Sequence, residues 1–221
     1  MSLNFSPVLD SWQFLLGGLG LTLALAALTV LSSLVLGGAI GLARCYGPAW
    51  LRPFLVFYID TMRSIPVLVV LVWTYFALPI VTGASLPPFW AGLIALSAQI
   101  AAFVAEIVRA GLESIRPGQM RAALALGMSR AQAVRVVLLP QAVVRMLPAF
   151  GSILSIAIKD TAIASVIAVP EYLNRSQTLA GQSFRPVEVY LTAMAVYFVI
   201  LFPVTRAVDM AYARLAHRGR S

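Results

Sequence analysis

Apolar residues run along this chain in stretches too long for a soluble helix, and the polar breaks between them are short. Residues 15–43 carry no charge. A helix needs about 20 mostly apolar residues to cross the hydrocarbon core of a bilayer, so this stretch predicts a first span. Glycines 17, 18, 20, 37, 38 and 41 lie near its ends, where small residues let a second helix approach closely. Trp12 and Phe14 ahead of it have the character of interfacial anchors. Residues 54–80 predict a second span. It holds Asp60 and Arg63, three apart and so on one helical face, and Pro66 predicts a kink one turn later. An uncharged loop closes at Pro87 and Pro88. Residues 89–108 predict the third span, with Gln99 midway and Glu106 near the end, leading into Arg109 and Glu113. The fourth starts around residues 143–147, with Arg145 at its edge and Pro148 as an early kink, and runs to about 169. Lys159 and Asp160 fall inside it, about 18 Å along the axis from Leu147 at about 1.5 Å per residue. Residues 170–187 form a polar loop with Glu171, Arg175 and Arg185, and a short helix is expected around 171–179. Residues 189–204 open the fifth span, which Pro203 bends. Arg206, Asp209 and Arg214 carry it into a basic tail over 216–221. The pattern predicts an all-α integral membrane protein of five transmembrane helices.

The one long stretch built for water is 115–140, IRPGQMRAALALGMSRAQAVRVVLLP, with Arg116, Arg121, Arg130 and Arg135 and no acid. Pro117 and Gly118 predict a turn. A short Ala/Leu helix over about 119–126 follows, since Ala and Leu are strong helix formers. Gly127 stands where a left-handed C′ residue would end it. Ser129 and Gln132 have the spacing of a capping box for a second helix, which Pro140 is expected to interrupt. Two readings of this elbow stand. Arginine-rich helices lie on membrane surfaces. Against that, Ala122, Ala123 and Ala125 offer little apolar area to insert, which suits docking into a groove of another protein.

Composition agrees with a membrane protein: 61% of residues are hydrophobic, 11% are charged and the mean hydropathy is +0.92, where a soluble domain has about 25% charged residues. The net charge of +8 belongs to loop arginines rather than to nucleic-acid binding. Arg44, Arg52, Arg109, Arg116, Arg121, Arg130, Arg135, Arg145, Arg206, Arg214, Arg218 and Arg220 all fall on one side of a five-span topology. By the positive-inside rule the N-terminus is then outside, and the elbow and C-terminus are cytoplasmic. No Lys or Arg precedes Arg44, so no cleaved signal peptide is expected. Cys45 is the lone cysteine and His217, in the tail, the lone histidine. That excludes an internal disulfide, a cysteine-based metal site and histidine chemistry in the membrane.

No phosphate-binding glycine loop, HExxH, GxSxG or polar paired-carboxylate site occurs. No catalytic, cofactor-binding or metal residue is therefore assigned, and the chain reads as no enzyme. An odd span number also argues against an inverted repeat and so against a self-contained secondary transporter. Charges inside spans are costly and point to function unless they are paired. Lys159 and Asp160 either line a polar path for a zwitterionic substrate or form an ion pair that shapes the helix. Asp60 with Arg63, and Glu106 with Arg109, read as structural polar pairs near the membrane face. Gln99 either faces a cavity or bonds a neighbouring helix.

Arg121-Ala-Ala-Leu-Ala-Leu-Gly127, followed by Val137-Leu-Leu-Pro140, resembles the EAA loop of ABC importer permeases. Arg63-Ser-Ile-Pro66, Ala105-Glu-Ile-Val-Arg109, Ile115-Arg-Pro-Gly-Gln119, Leu139-Pro-Gln141 and Lys159-Asp-Thr161 resemble the polar amino-acid uptake branch (histidine, glutamine, glutamate types), leaning toward acidic amino acids. The similarity runs over 15–212, the core of a single transmembrane domain spanning 1–221. The resemblance implies the type I ABC importer fold, with a cytoplasmic coupling helix between spans 3 and 4. It implies a second permease subunit, identical or paralogous, two cytoplasmic ABC ATPases that bind ATP and Mg, an extracytoplasmic amino-acid-binding protein, and a bacterial inner-membrane location. It assigns ATPase coupling to Arg121, Ala122, Ala123, Leu126, Gly127, Met128 and Ser129; the candidates for the translocation path or a substrate contact are Gln99, Lys159, Asp160 and Thr161, by their polar or charged groups inside or beside spans. Arg121 occupies the position of the EAA glutamate, so that residue's contact does not carry over. A stand-alone channel or secondary transporter, or a non-transporting assembly or sensory subunit, remains the alternative at this point.

Overall fold

The computed structural model describes residues 3–218, with side chains through Met210. Of the basic tail, Arg220 lies outside the described residues, as do the side chains of Arg214, His217 and Arg218. The helices are α1 (Ser6–Asp10), α2 (Trp12–Tyr46), α3 (Arg52–Ser64), α4 (Val67–Thr82), α5 (Pro88–Glu113), α6 (Pro117–Ala125), α7 (Arg130–Ile167), α8 (Tyr172–Ser183) and α9 (Pro186–Arg218). No strand occurs among the described residues. α2, α5, α7 and α9 are each long and apolar enough to cross a membrane, and α3 with α4 makes a fifth span if the bent pair counts as one.

α5 is the most buried of the four long spans, and α2, α3, α4 and α7 pack against it, while α9 packs on α7 and α8. Its small residues explain this. Ala91, Ala95, Ala101, Ala102 and Ala105 are buried along it, and α2 meets it with glycines. A Cβ on Gly37 would stand 2.6 Å from Val104 Cβ, and one on Gly41 would stand 2.7 Å from Val108 Cβ. Four residues apart, the two glycines share a face, and their missing side chains let the backbones close up. In lipid, where apolar burial gives little drive between helices, such close van der Waals packing holds spans together. The hydroxyls of Ser32 and Ser97 add a bond of 2.6 Å across the same interface.

The second span is not a kinked helix but two helices set 107° apart. Pro66 disfavours helical backbone at the residue before it, and Ile65 is extended (φ −87°, ψ 134°), as is Pro66 (φ −59°, ψ 138°). Two consecutive extended residues turn the chain, where the sequence suggested only a bend. The opposite correction holds at Pro140. The second helix of the elbow is not interrupted there: α7 runs from Arg130 through the fourth span, well before the expected start at 143–147. A widened π turn over Ala133–Leu138 lies immediately ahead of Pro140. The π turn re-routes backbone bonds around the proline ring, which would otherwise meet the carbonyl four residues back. Trp73–Ala77 forms the same kind of turn ahead of Pro79 in α4. Pro148 and Pro203 sit inside unbroken helices.

Candidate functional site

The elbow folds as local chemistry dictates. α6 ends at Ala125, and Gly127 is left-handed (φ 83°). Met128 N–H donates to Ala123 O (3.2 Å) and Gly127 N–H to Leu124 O (3.0 Å), the paired bonds of a Schellman motif. Ser129 Oγ accepts from Gln132 N–H at 3.3 Å, and Gln132 Oε1 accepts from Ser129 N–H at 2.9 Å, closing the capping box. The elbow is anchored from beneath. Ile115 packs with Leu112, Leu138, Ala142 and Met146, and Arg145 Nη1 donates to Ser114 O. Of the residues assigned to coupling, Arg121, Ala122, Leu126, Gly127 and Ser129 are exposed, Leu126 to 79%. Met128 is half-buried, and Ala123 is buried as the helix's inward contact.

Above the elbow, Glu106 gathers the charges at the ends of α2, α3 and α5. Arg109 forks onto it with Nη2–Oε1 at 2.6 Å and Nε–Oε2 at 3.1 Å, Arg44 Nη1 reaches Oε2 at 2.7 Å, and Arg63 Nη1 stands at 3.9 Å. Arg109 also bonds Glu113. A two-pronged arginine–carboxylate pair of this kind is strong and directional. The expected Asp60–Arg63 pair does not form. Arg63 turns instead to Glu106 and lies over the Phe103 ring at 5.7 Å, while Asp60 is exposed.

Gln99 bonds at the broken span. Its Nε2 donates to Ile65 O (2.7 Å) and Met62 O (3.2 Å), satisfying carbonyls that the break leaves without helical partners. Gln99 also borders a cavity of about 220 Å³ with Arg63, Phe103 and Asp160. Lys159 does not join Asp160 there. No ion pair links the two among the described residues, and Lys159 borders a separate cavity of about 280 Å³ with Ser152, Ser155, Thr205 and Asp209. Consecutive helical residues point about 100° apart, which is why neighbours in sequence serve different cavities. Among the described residues, the buried hydroxyl of Ser155 has no hydrogen-bond partner. Thr161 is fully buried and donates to Ile158 O within its own helix at 2.7 Å.

At the other end of α2 lies a carboxylate that periodicity did not single out. Glu171, read only as part of a polar loop, is fully buried. It caps α8 by accepting from Asn174 N–H (2.6 Å) and Leu173 N–H (2.9 Å), and it receives Thr22 Oγ1 (3.2 Å) and Tyr197 OH (3.3 Å). Burial pushes its carboxyl up, and these four donors pull it back. Arg175 lies along α2, with Nη1 donating to Phe14 O at 2.6 Å and its guanidinium 4.9 Å from the Phe14 ring. Gly18 permits the approach, since a Cβ there would stand 2.7 Å from Arg175 Cδ. One legible cue existed: an acid directly after Pro170 and ahead of a short helix has N-cap character.

With this geometry in hand, the relatives of the chain are informative. Residues 33–221 match the family model described as "Binding-protein-dependent transport system inner membrane component". The arginine transport system permease protein ArtQ of Bacillus subtilis is 33% identical over 93% of this chain and 94% of its own. The glutamine transport system permease protein GlnP of Escherichia coli is 33% identical over 99% and 98%. The octopine transport system permease protein OccM of Rhizobium radiobacter is 36% identical over 88% and 84%. Among solved structures, a chain from the crystal structure of an amino acid ABC transporter with histidines superposes with a TM-score of 0.89, at 32% identity, over 97% of this chain and 100% of that one. A chain of the inward-facing MetNI methionine ABC transporter, at 22% identity and a TM-score of 0.80 over 93% and 98%, shares the fold. The exposed elbow, the broken second span and the helical architecture thus sit in a chain that belongs to the inner membrane components of binding-protein-dependent transport systems, as an amino-acid ABC transporter permease.

Proposed function

We propose that this permease forms the membrane path of an importer for a polar amino acid, and that the elbow transmits ATP-driven closure of a separate ATPase pair to the spans. The observation that carries the reading is the elbow's outer face. Arg121, Ala122, Leu126 and Gly127 are held rigidly by a Schellman motif and a capping box, yet they lie exposed. An element so well fixed and so poorly covered fits a docking partner. In this reading the elbow is cytoplasmic, the N-terminus is outside, and ATP and Mg sit in the partner. A second permease subunit, identical or paralogous, completes the path, and an extracytoplasmic binding protein delivers the cargo.

Path chemistry suits a zwitterion. Lys159 supplies a cation for a carboxylate, and Asp209 on the same cavity supplies an anion for an ammonium. Asp160, with Arg63 and Gln99, lines the neighbouring cavity. Glutamate and aspartate are the first cargo to test, on the Arg63-Ser-Ile-Pro66 and Ala-Leu-Ala-Leu-Gly127 wording, with glutamine and arginine as the competing arms. The test is uptake of each labelled amino acid into proteoliposomes containing the permease, its ATPase and its binding protein, with and without ATP. ATP-dependent uptake of one polar amino acid is expected. Uptake indifferent to ATP removes the coupling role, and glutamine or arginine preferred over glutamate removes the acidic assignment.

A further inference from the structure

A cavity of about 730 Å³ lies apart from those that Gln99, Lys159 and Asp160 border. It lies between the end of α2 and the underside of the elbow. Leu42 and Tyr46 form one wall, Leu124 and Val134 another, and Arg130 and Arg135 stand at it. Neither arginine forms an ion pair among the described residues, and no acid lines the cavity. It opens where a span of 35 residues, about 52 Å long at 1.5 Å per residue, outruns a hydrocarbon core of about 30 Å. The uncharged run of α2 ends at Arg44, directly ahead of the cleft, and a first arginine after an apolar run marks the headgroup level.

We propose that this cleft holds an anionic phospholipid, with its phosphate between Arg130 and Arg135 and its acyl chains along Leu42, Leu124 and Val134. Three observations select that occupant. The walls are apolar, which suits chains rather than a soluble anion. Among the described residues, the charges lining it are two cations without carboxylates, so the cleft is complementary to an anion. The cleft opens at the end of a span, where headgroups are. The elbow's outer face, with Arg121 and Leu126, is a different surface and stays available to a protein. The bound lipid would tie the elbow to α2, whose glycines pack it on α5, so the lipid would stiffen the element that carries motion.

The lone Cys45 also borders this cleft and reports on its filling. The full-length permease, purified in neutral detergent, is mixed with phosphatidylglycerol or phosphatidylcholine of identical chains and analysed by native mass spectrometry. In parallel, maleimide labelling of Cys45 is timed. Phosphatidylglycerol is expected to be retained in preference. Each arginine should contribute on the order of fivefold, the value of one basic residue at an anionic surface. Arg130→Gln with Arg135→Gln should erase the preference, while Arg116→Gln, outside the cleft, should keep it. Cys45 labelling should slow several-fold with phosphatidylglycerol and not with phosphatidylcholine. Equal retention of both lipids overturns the proposal, and so does a preference that survives the double variant. If inorganic phosphate protects Cys45 as well as the lipid does, the cleft takes a soluble anion. If adding the ATPase subunit expels the lipid, the cleft belongs to the partner. Both variants alter exposed side chains, so folding is preserved, and the readouts do not depend on uptake.

Discussion

At the elbow end, Arg116, Arg121, Arg130 and Arg135 are exposed and make no ion pair among the described residues. At the far end of α2, Glu171 is enclosed by four donors and Arg175 lies along the helix it helps to hold. The two ends are similar in polarity as sequence but opposite in use. One leaves its arginines unpaired among the described residues. The other consumes its charge internally, because a carboxylate removed from water is tolerable only when hydrogen-bonded. The lesson is that a charged loop between spans is read by its pairing, not by its composition.

The sharpest way to break this comparison is Gly127→Arg. A Cβ at Gly127 meets nothing within 4 Å, so the substitution leaves the fold intact apart from a left-handed residue costing about 1–2 kcal/mol. Uptake should fall to background while the protein remains in the membrane fraction, and Gly127→Ala should retain substantial uptake. Normal uptake by the arginine variant would mean that the exposed end serves no partner.

Next comes the closed end. Glu171→Ala strips Thr22, Tyr197 and two backbone N–H groups of their acceptor and should lower stability by about 3 kcal/mol, read as a lower Tm in detergent. Glu171→Gln should recover part of the loss. An unchanged Tm would show that the clamp is ornamental.

Between the two ends, Lys159→Met and Asp160→Asn should each cut transport about tenfold, equivalent to about 1.4 kcal/mol, with expression unchanged. Because the side chains border different cavities, their effects should multiply in the double variant. If the double variant is no worse than either single one, the two act as a unit and the geometric separation is irrelevant.

The smallest effect is expected at Arg145→Gln, which removes an exposed bond to Ser114 O worth about 1 kcal/mol. Faster hydrogen exchange confined to the start of the elbow would show that this arginine steadies it.

Span positions were legible because the bilayer imposes a length, and the elbow was legible because its caps are local. Gly127 and the Ser129/Gln132 pair need only their own neighbours to take up their geometry. The prolines were not legible in the same way. Pro66 and Pro140 look alike in sequence, yet one breaks the chain by 107° and the other passes inside a helix. The difference lies in what surrounds them: Gln99 donates to the carbonyls freed at the first, and a π turn absorbs the ring of the second. Asp60 and Arg63 misled for a related reason. Helical spacing brought them within reach, but Glu106, from another helix, offered Arg63 a second anion.

The sequence by itself determined that this chain lives in a membrane as helices, and that a capped basic elbow separates two spans. These follow from interactions between residues a few positions apart and from the thickness of the bilayer. Only the tertiary structure decided which charges are spent. Lys159 and Asp160 part company, Arg63 leaves Asp60 for Glu106, and Glu171 disappears inside a clamp built from residues far apart in the chain. Pairing in a low-dielectric interior depends on distances between helices, and those are set by packing such as Gly37 and Gly41 on α5, which the order of residues along any one helix does not contain.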